Sequence, residues 1–259
     1  MLTSQRKKHL MDVLRRDGQI VASKLSEELG VSEDTIRRDL RELAREGLLQ
    51  RVHGGALPAS PAMGDFAARQ QISVGDKAAI GRAAAQLVQP GQVVFVDGGT
   101  TCAQLVRHLP RDLHASVVTH SPSIAMELMD HPHVEVIMLG GRMFRHSIVA
   151  VGAATLEAIA RIRADTYFMG VCSLHPEHGL STGDHEEACV KRALCEAAAE
   201  TIVLASSEKL ATVSPYRVVG LHEISGIVLP AGTPPELARP YREAGIALTF
   251  AAAVVERER

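Results

Sequence analysis

The chain has 259 residues, 46% of them hydrophobic and 22% charged, with a formal net charge of -2. These proportions give enough apolar sequence for a substantial core and suit one small domain beside a larger one; they exclude overall disorder and a uniformly basic nucleic-acid binder. The first residues are charged throughout and no uncharged apolar run approaches about 18 residues, so neither a leader peptide nor a membrane span is expected, and a cytoplasmic location is.

From the N-terminus, Leu10, Val13 and Leu14 recur at helical spacing behind Thr3 and Ser4 as candidate caps, and Gly18 closes a first helix. Val21, Leu25 and Leu29 mark a second, short helix ending on Gly30, a residue that enters the left-handed turn region cheaply. The third helix starts on Ser32 as N-cap, carries Glu33 and Asp34 where the helix dipole favours anions, and stops at Gly47. With Ile36, Leu40 and Leu43 buried, a 100° advance per residue gathers Arg38, Arg41 and Arg45 on the opposite face, with Thr35 and Arg37 on the flanks. A short helix, a glycine turn and a second helix with a cationic outer face suit the DNA major groove. The competing reading is a solvated helix whose arginines pair with Glu42 and Glu46 at helical spacing. Residues 1–58 carry 11 lysines and arginines against 9 acids, an asymmetry that supports DNA binding only weakly.

LLQRVHGGALP then reads as a strand, a glycine turn and a returning strand, a wing with Arg51 and His53 near its tip. The run VSEDTIRRDLRELAREGLLQRVHGGA, with its TIRRDL core and RxHGGA wing, closely resembles the signature of the DeoR family of transcription regulators. That resemblance implies a winged helix-turn-helix over residues 1–57, its helix-turn-helix at about 20–39, with double-stranded DNA met by Ser32, Thr35, Arg37, Arg38, Arg41, Arg51, His53 and Gly54.

The proline-containing stretch around LPASPAMGD reads as a linker over 58–68, and residues 69–259 as a larger domain. There strand-like and helical runs alternate, the rhythm of an α/β sheet, with candidate strands at 93–96, 116–119, 134–139, 166–171, 201–205 and 224–229. The first strand runs into Asp97, Gly98, Gly99, Thr100 and Thr101 and then into a helix. Glycines that let backbone N–H groups approach, a helix N-terminus and two hydroxyls form an anion cradle; a plain tight turn is the alternative. The turn is neither a P-loop nor a dinucleotide fingerprint. Open α/β sheets bind ligands beyond the carboxyl ends of their strands, and Thr119–His120–Ser121, Gly140–Gly141–Arg142 and Ser206 to Lys209 all follow strands. Lys209 offers a positive charge, and Asp184, Glu186 and Glu187 open a helix whose acids serve equally as caps or as acceptors for sugar hydroxyls; Glu187 and Lys191 stand at i, i+4 and make a surface pair on the simplest reading.

From about Arg69 to Pro230 these pieces, with Lys77-x-x-Ile80, LGGR, Val151–Gly152, GLST and EACVKRA, resemble the DeoR sensor domain, whose fold is similar to ribose-5-phosphate isomerase. The likeness implies a phosphorylated-sugar effector on Asp97, Gly98, Gly99, Thr100, Thr101, Thr119, Glu187, Lys191 and Lys209, no cofactor, and relief of repression at a carbohydrate operon. Two positions depart from the family pattern: His120 stands where asparagine is usual and Ser206 where aspartate is usual. Symmetric operator half-sites call for a homo-oligomer, dimer or tetramer. An isomerase-like enzyme with a DNA-binding appendage is the alternative; it needs a general base such as Glu187 or Asp184.

His175 and His178 form H-x-x-H across Pro176 in a loop, which lacks the helical geometry of a zinc site, and no metal is expected. The cysteines at 102, 172, 189 and 195 have no C-x-x-C spacing and read as reduced core thiols, Cys102 included despite its place near a helix start. The tail stretch IALTFAAAVV either completes the sheet or supplies an oligomer contact.

Overall fold

A computed structural model describes residues 2–60 and 66–252; part of the expected linker and the end of the IALTFAAAVV stretch lie outside the described residues. Helix α1 (Thr3–Asp17) buries Leu10, Val13 and Leu14 and ends on Gly18 at φ 70°. Thr3 and Ser4 lie inside it and are not its caps; the Gln5 side chain instead accepts from Leu2 N–H at 3.2 Å. Val21, expected to open the second helix, instead joins Ile20 in a short strand β1 (Ile20–Val21), and α2 spans Ala22–Leu29. The turn at Gly30 (φ 60°) leads to Ser32, whose hydroxyl accepts from Thr35 N–H and caps α3 (Glu33–Arg45).

Strands β2 (Leu49–Val52) and β3 (Gly55–Pro58) make the wing hairpin, and β3 also pairs with β1, giving the sheet order β1-β3-β2. Both wing glycines have a physical reason. Gly54 sits at φ 77°, and a Cβ on Gly55 would lie 1.7 Å from the Ile20 carbonyl oxygen. Ile36, Leu40 and Leu43 of α3 join Leu10, Leu14 and Leu25 in one core. Asp39, fully buried, receives a two-pronged contact from buried Arg6 of α1, so the two helices share an ion pair as well as a core.

The larger part begins with α4 (Phe66–Gln70) and α5 (Val74–Ala85), followed by β4 (Val93–Val96), α6 (Thr100–Arg107), β5 (Ala115–Thr119), α7 (Pro122–Glu127) and β6 (Val134–Met138). A hairpin of β7 (Arg142–Phe144) and β8 (Val149–Val151) precedes α8 (Ala153–Ile159), β9 (Ala164–Gly170), β10 (Ser173–His175), β11 (Gly179–Thr182) and α9 (His185–Glu196). Then come β12 (Ala198–Leu204), β13 (Tyr216–Arg217), β14 (Gly226–Pro230), α10 (Pro235–Glu243) and β15 (Ala247–Ala251). Seven strands form one parallel sheet in the order β15-β14-β12-β9-β4-β5-β6. The six expected strands are all present; β14 starts two residues later than expected because residues 221–223 form a tight helical turn. The tail completes the sheet as β15.

Apolar clusters cover both faces. One draws on α5, α6 and α7 through Ile80, Leu105 and Ile124, the other on α8, α9 and α10 through Ile159, Leu194 and Tyr241. Strand order reverses between β4 and β9, because β5 and β6 follow β4 on one side whereas β9, β12, β14 and β15 extend the other. A crevice outside the carboxyl ends of β4 and β9 is therefore the place where this topology leaves room for a ligand.

Candidate nucleic-acid interface and anion site

The acids of α3 that could pair with its arginines turn towards α1 instead. Glu42 lies 2.9 Å from Lys7 of α1 and Glu46 3.6 Å from the same ammonium, so neither pairs with an arginine of its own helix. The hydrogen bond from Lys7 holds the Glu42 carboxyl below its ordinary value. Arg38, Arg41 and Arg45 are exposed and form no ion pair among the described residues. Arg37 differs: its guanidinium donates to Glu33 at 2.7 Å and lies 3.8 Å from Asp34, so reaching a phosphate means giving up that pairing. Ser32 and Thr35 hydroxyls are 2.9 Å apart at the helix start, and Arg51, His53 and Gly54 are exposed on the wing.

The second site lies at the β4–β9 crevice, around the turn that follows β4. Asp97 is fully buried beneath it. Its Oδ1 accepts from Gly98 N–H at 2.8 Å and lies 2.9 Å from His120 Nε2; its Oδ2 accepts from Gly170 N–H at 3.0 Å and from the Lys191 ammonium. Burial pushes this carboxyl up, but Lys191 and His120 outweigh it and hold Asp97 below the usual carboxylate range. Lys191 also donates to Gly170 O at 2.9 Å and lies 3.7 Å from Glu187; burial lowers its ammonium, yet Asp97 and Glu187 hold it above the ordinary lysine value.

This buried post fixes the turn. Gly98 has no room for a side chain, since a Cβ would sit 2.3 Å from Val149 Cγ1, and Gly99 adopts φ 113°. Thr100 and Thr101, whose backbone N–H groups have no partner within the first turn of a helix, begin α6 and line a cleft whose empty space is about 500 Å³, counting the solvent at its mouth. Four cationic side chains, Arg69, Lys77, Lys191 and Lys209, line it against two carboxylates, Glu187 and Glu208. Lys77 and Lys209 are buried and form no ion pair among the described residues. Burial pushes Lys77 down to about 8, with Lys209 adding repulsion, and burial lowers Lys209 as well. Thr101 Oγ1 and Ser147 Oγ are buried with no hydrogen-bond partner among the described residues, and both residues line the cavity. Unpartnered donors and desolvated cations around one opening are costly unless an anion joins them.

Gly98, Gly99, Thr100, Thr101, Glu187, Lys191 and Lys209, singled out from the sequence, come together here. Two others do not. Asp97 has every oxygen engaged below the cavity, and Thr119 is buried with its hydroxyl accepting from Ser121 N–H at 3.1 Å. The Glu187–Lys191 pair is buried, not at the surface. Lys77, Arg69, Ser147 and Glu208 complete the site and were missed as site residues. Lys77 had a readable signal: it stands at i, i+3, i+7 with Ile80 and Ala84, a lysine on the buried stripe of α5.

The two departures from the family pattern have different consequences. His120 goes into the post, its Nδ1 2.9 Å from Ala150 O, and does not reach the cavity. Ser206 donates to Glu208 at 2.6 Å, so an acid still faces Lys209 although position 206 lacks one. The Cys102 thiol is pushed up to about 12 by burial and then by Asp97, which makes it packing material. His175 Nδ1 accepts from Glu177 N–H at 3.1 Å and closes its own turn, and among the described residues no group of three or more metal-binding side chains converges.

Comparison with known proteins gives two matches along the chain: a DeoR-like helix-turn-helix domain over residues 6–61 and a DeoR C terminal sensor domain over residues 72–230. The HTH-type transcriptional regulator GlpR of Haloferax volcanii is 36% identical over 86% of this chain and 88% of its own length. The glycerol-3-phosphate regulon repressor of Escherichia coli K12 is 30% identical over 81% of this chain and 83% of its own. Among solved structures, ribose 5-phosphate isomerase A from Methanocaldococcus jannaschii aligns at a TM-score of 0.39 and 19% identity, covering 51% of this chain and 52% of that one.

Proposed function

The chain belongs to the DeoR family of transcription regulators, and on that premise we propose that it represses a carbohydrate-metabolism operon and releases its operator when a phosphorylated sugar fills the cavity at the β4–β9 crevice. The α3 face carrying Arg38, Arg41 and Arg45 enters the major groove, and Arg51 and His53 bring the wing to the adjacent backbone. The protein works in the cytoplasm as a homo-oligomer, dimer or tetramer, because one recognition helix spans only a few base pairs. Among the described residues no helix is long and apolar enough to cross a membrane.

The observation that carries the effector reading is the convergence of the α6 N-terminus, Lys77, Lys209 and two unpartnered hydroxyls on one opening. A phosphate dianion supplies the missing negative charge and acceptors together. Glu187 and Lys191 sit beside it, with Glu187 accepting from the Thr182 hydroxyl at 2.9 Å, and offer acceptor and donor to the sugar.

Binding without turnover is favoured over isomerase chemistry by family membership and by the state of Glu208. Glu187 is engaged by Thr182 and faces Lys191, and Glu208 accepts from Ser206 and Ser73 at 2.6 and 2.9 Å. Burial pushes the Glu208 carboxyl up, but its hydrogen bonds hold it below the ordinary value and make it a weaker base, whereas Glu187 keeps Oε1 without a hydrogen bond among the described residues and is judged by the turnover assay. The test is a thermal-shift screen of phosphorylated trioses, pentoses and hexoses with product analysis on every hit. A rise in melting temperature without product supports the regulator. Turnover makes the protein an enzyme, and no shift with any phosphorylated sugar removes the effector assignment.

A further inference from the structure

Described residues on both sides of the join between the two parts of the chain, Ser60 before it and Arg69 and Ile72 after it, lie at the cavity. At the end of β3, Val213 N–H donates to Pro58 O at 3.3 Å, and two residues on the buried Ser60 hydroxyl donates to the carbonyl of Cys172, a cavity-lining residue. The chain then returns to the same cavity through α4, placing Arg69 and Ile72 in its wall. Helix α4 has five residues and buries none of them, so apolar packing contributes little to its position. Polar contacts do the holding, among them Arg69 Nη2 to His146 O at 3.1 Å and the Lys77 ammonium to Arg69 O.

Charge gives this wall a reason to respond. Arg69 is one of the cations that disfavour the charged forms of Lys77 and Lys209, so three positive groups repel one another across the opening. An anion placed among them turns that repulsion into attraction. A guanidinium also matches phosphate with two parallel N–H groups, which an ammonium does not. Next to the carbonyl that Arg69 holds stands Ser147, with its hydroxyl buried and unpartnered among the described residues.

We propose that Arg69 contacts the phosphate directly, beside Lys77 and Lys209, and that residues 66–72 are the element that registers occupancy, drawn onto the cavity when it fills. The inference rests on the anion-site reading above. It makes the passage from ligand to DNA-binding part short: the strap that closes on the ligand is continuous in sequence with the strand that carries the wing.

The test uses the full chain and inorganic phosphate as probe, with affinity from calorimetry and amide hydrogen exchange followed in peptides covering residues 66–72. Saturating phosphate slows exchange there several-fold in the unaltered protein. Arg69→Ala weakens phosphate binding at least about fivefold and abolishes the slowing, and Arg69→Lys, which keeps the charge but not the fork, falls between. An Arg69→Ala loss smaller than about fivefold, or exchange over 66–72 that ignores saturating phosphate in the unaltered protein, overturns the proposal and leaves the anion site standing. If the unaltered protein binds neither inorganic phosphate nor glycerol 3-phosphate, the anion-site reading itself fails and this inference falls with it.

Discussion

Replacing Lys209 by methionine removes a charge while keeping an unbranched side chain of similar length, and it should move stability and ligand affinity in opposite directions. Lys209 is 7% exposed, and burial pushes its ammonium below the ordinary lysine value, with Glu208 pulling the other way. In the empty protein a buried ammonium without an ion pair is a net cost, and a methionine of matching shape relieves about 1 kcal/mol of it. For a chain of this length that is about 2–4 °C in melting temperature. With a phosphate bound, the same substitution deletes a charge-assisted hydrogen bond worth about 1.5–3 kcal/mol, or about 10- to 150-fold in affinity. Thermal melts with and without glycerol 3-phosphate read both effects from one sample. A variant that melts below the unaltered protein when empty, or that keeps its phosphate affinity within about threefold, refutes the reasoning.

Lys77 makes the site pH-sensitive. Its folded value of about 8 lies below the ordinary 10.5, so between these two values the unfolded chain binds more protons than the folded one and stability rises with pH. The destabilisation is present in full below the folded value. Melting temperature of the empty protein should climb across that window and phosphate affinity should fall through it, and a shallower profile in Lys77→Met, with Lys209 still titrating, identifies the group. On the DNA side, Arg38→Ala should cost about 1–3 kcal/mol of specific binding if its guanidinium forks onto a guanine; unchanged affinity in anisotropy titrations removes it from the base-reading set. Asp39→Ala strands the buried Arg6 guanidinium and should cost about 3–5 kcal/mol in denaturant unfolding of the N-terminal part, a loss that Arg6→Leu in the same chain partly restores. Thr100→Glu places a carboxylate where the phosphate is to sit and should abolish the ligand response in calorimetry while operator affinity stays unchanged.

Local periodicity made much of this architecture readable. The buried stripe of α3, the left-handed glycine after α2 and the strand-glycine-helix passage at 96–101 depend on residues within a few positions of one another, which is the range over which helix and turn rules act. Two-residue strand β1 was hidden because Val21 continues the helical spacing of Leu25 and Leu29, and only pairing with β3, more than thirty residues away, makes it and Ile20 a strand. The same limit applies to the site. Asp97 reads as part of the cradle from its place in the turn, yet His120 and Lys191, at 23 and 94 residues' separation, draw it below the cavity and consume its oxygens. Arg69 and Ser147 gave no signal, because one lies on a five-residue helix too short to show a periodicity and the other in a hairpin turn, and both become site residues only through the fold.

The central claim is that filling the cavity weakens the grip on DNA, and it is tested most directly by operator affinity measured by fluorescence anisotropy on a genomic fragment selected by the protein itself. The titration is run with and without saturating amounts of the phosphorylated sugar that gives the largest thermal shift. The account predicts a loss of at least about tenfold in operator affinity, equivalent to a coupling free energy of about 1.4 kcal/mol, and no loss in Thr100→Glu. Operator affinity that stays the same while the sugar is demonstrably bound contradicts it.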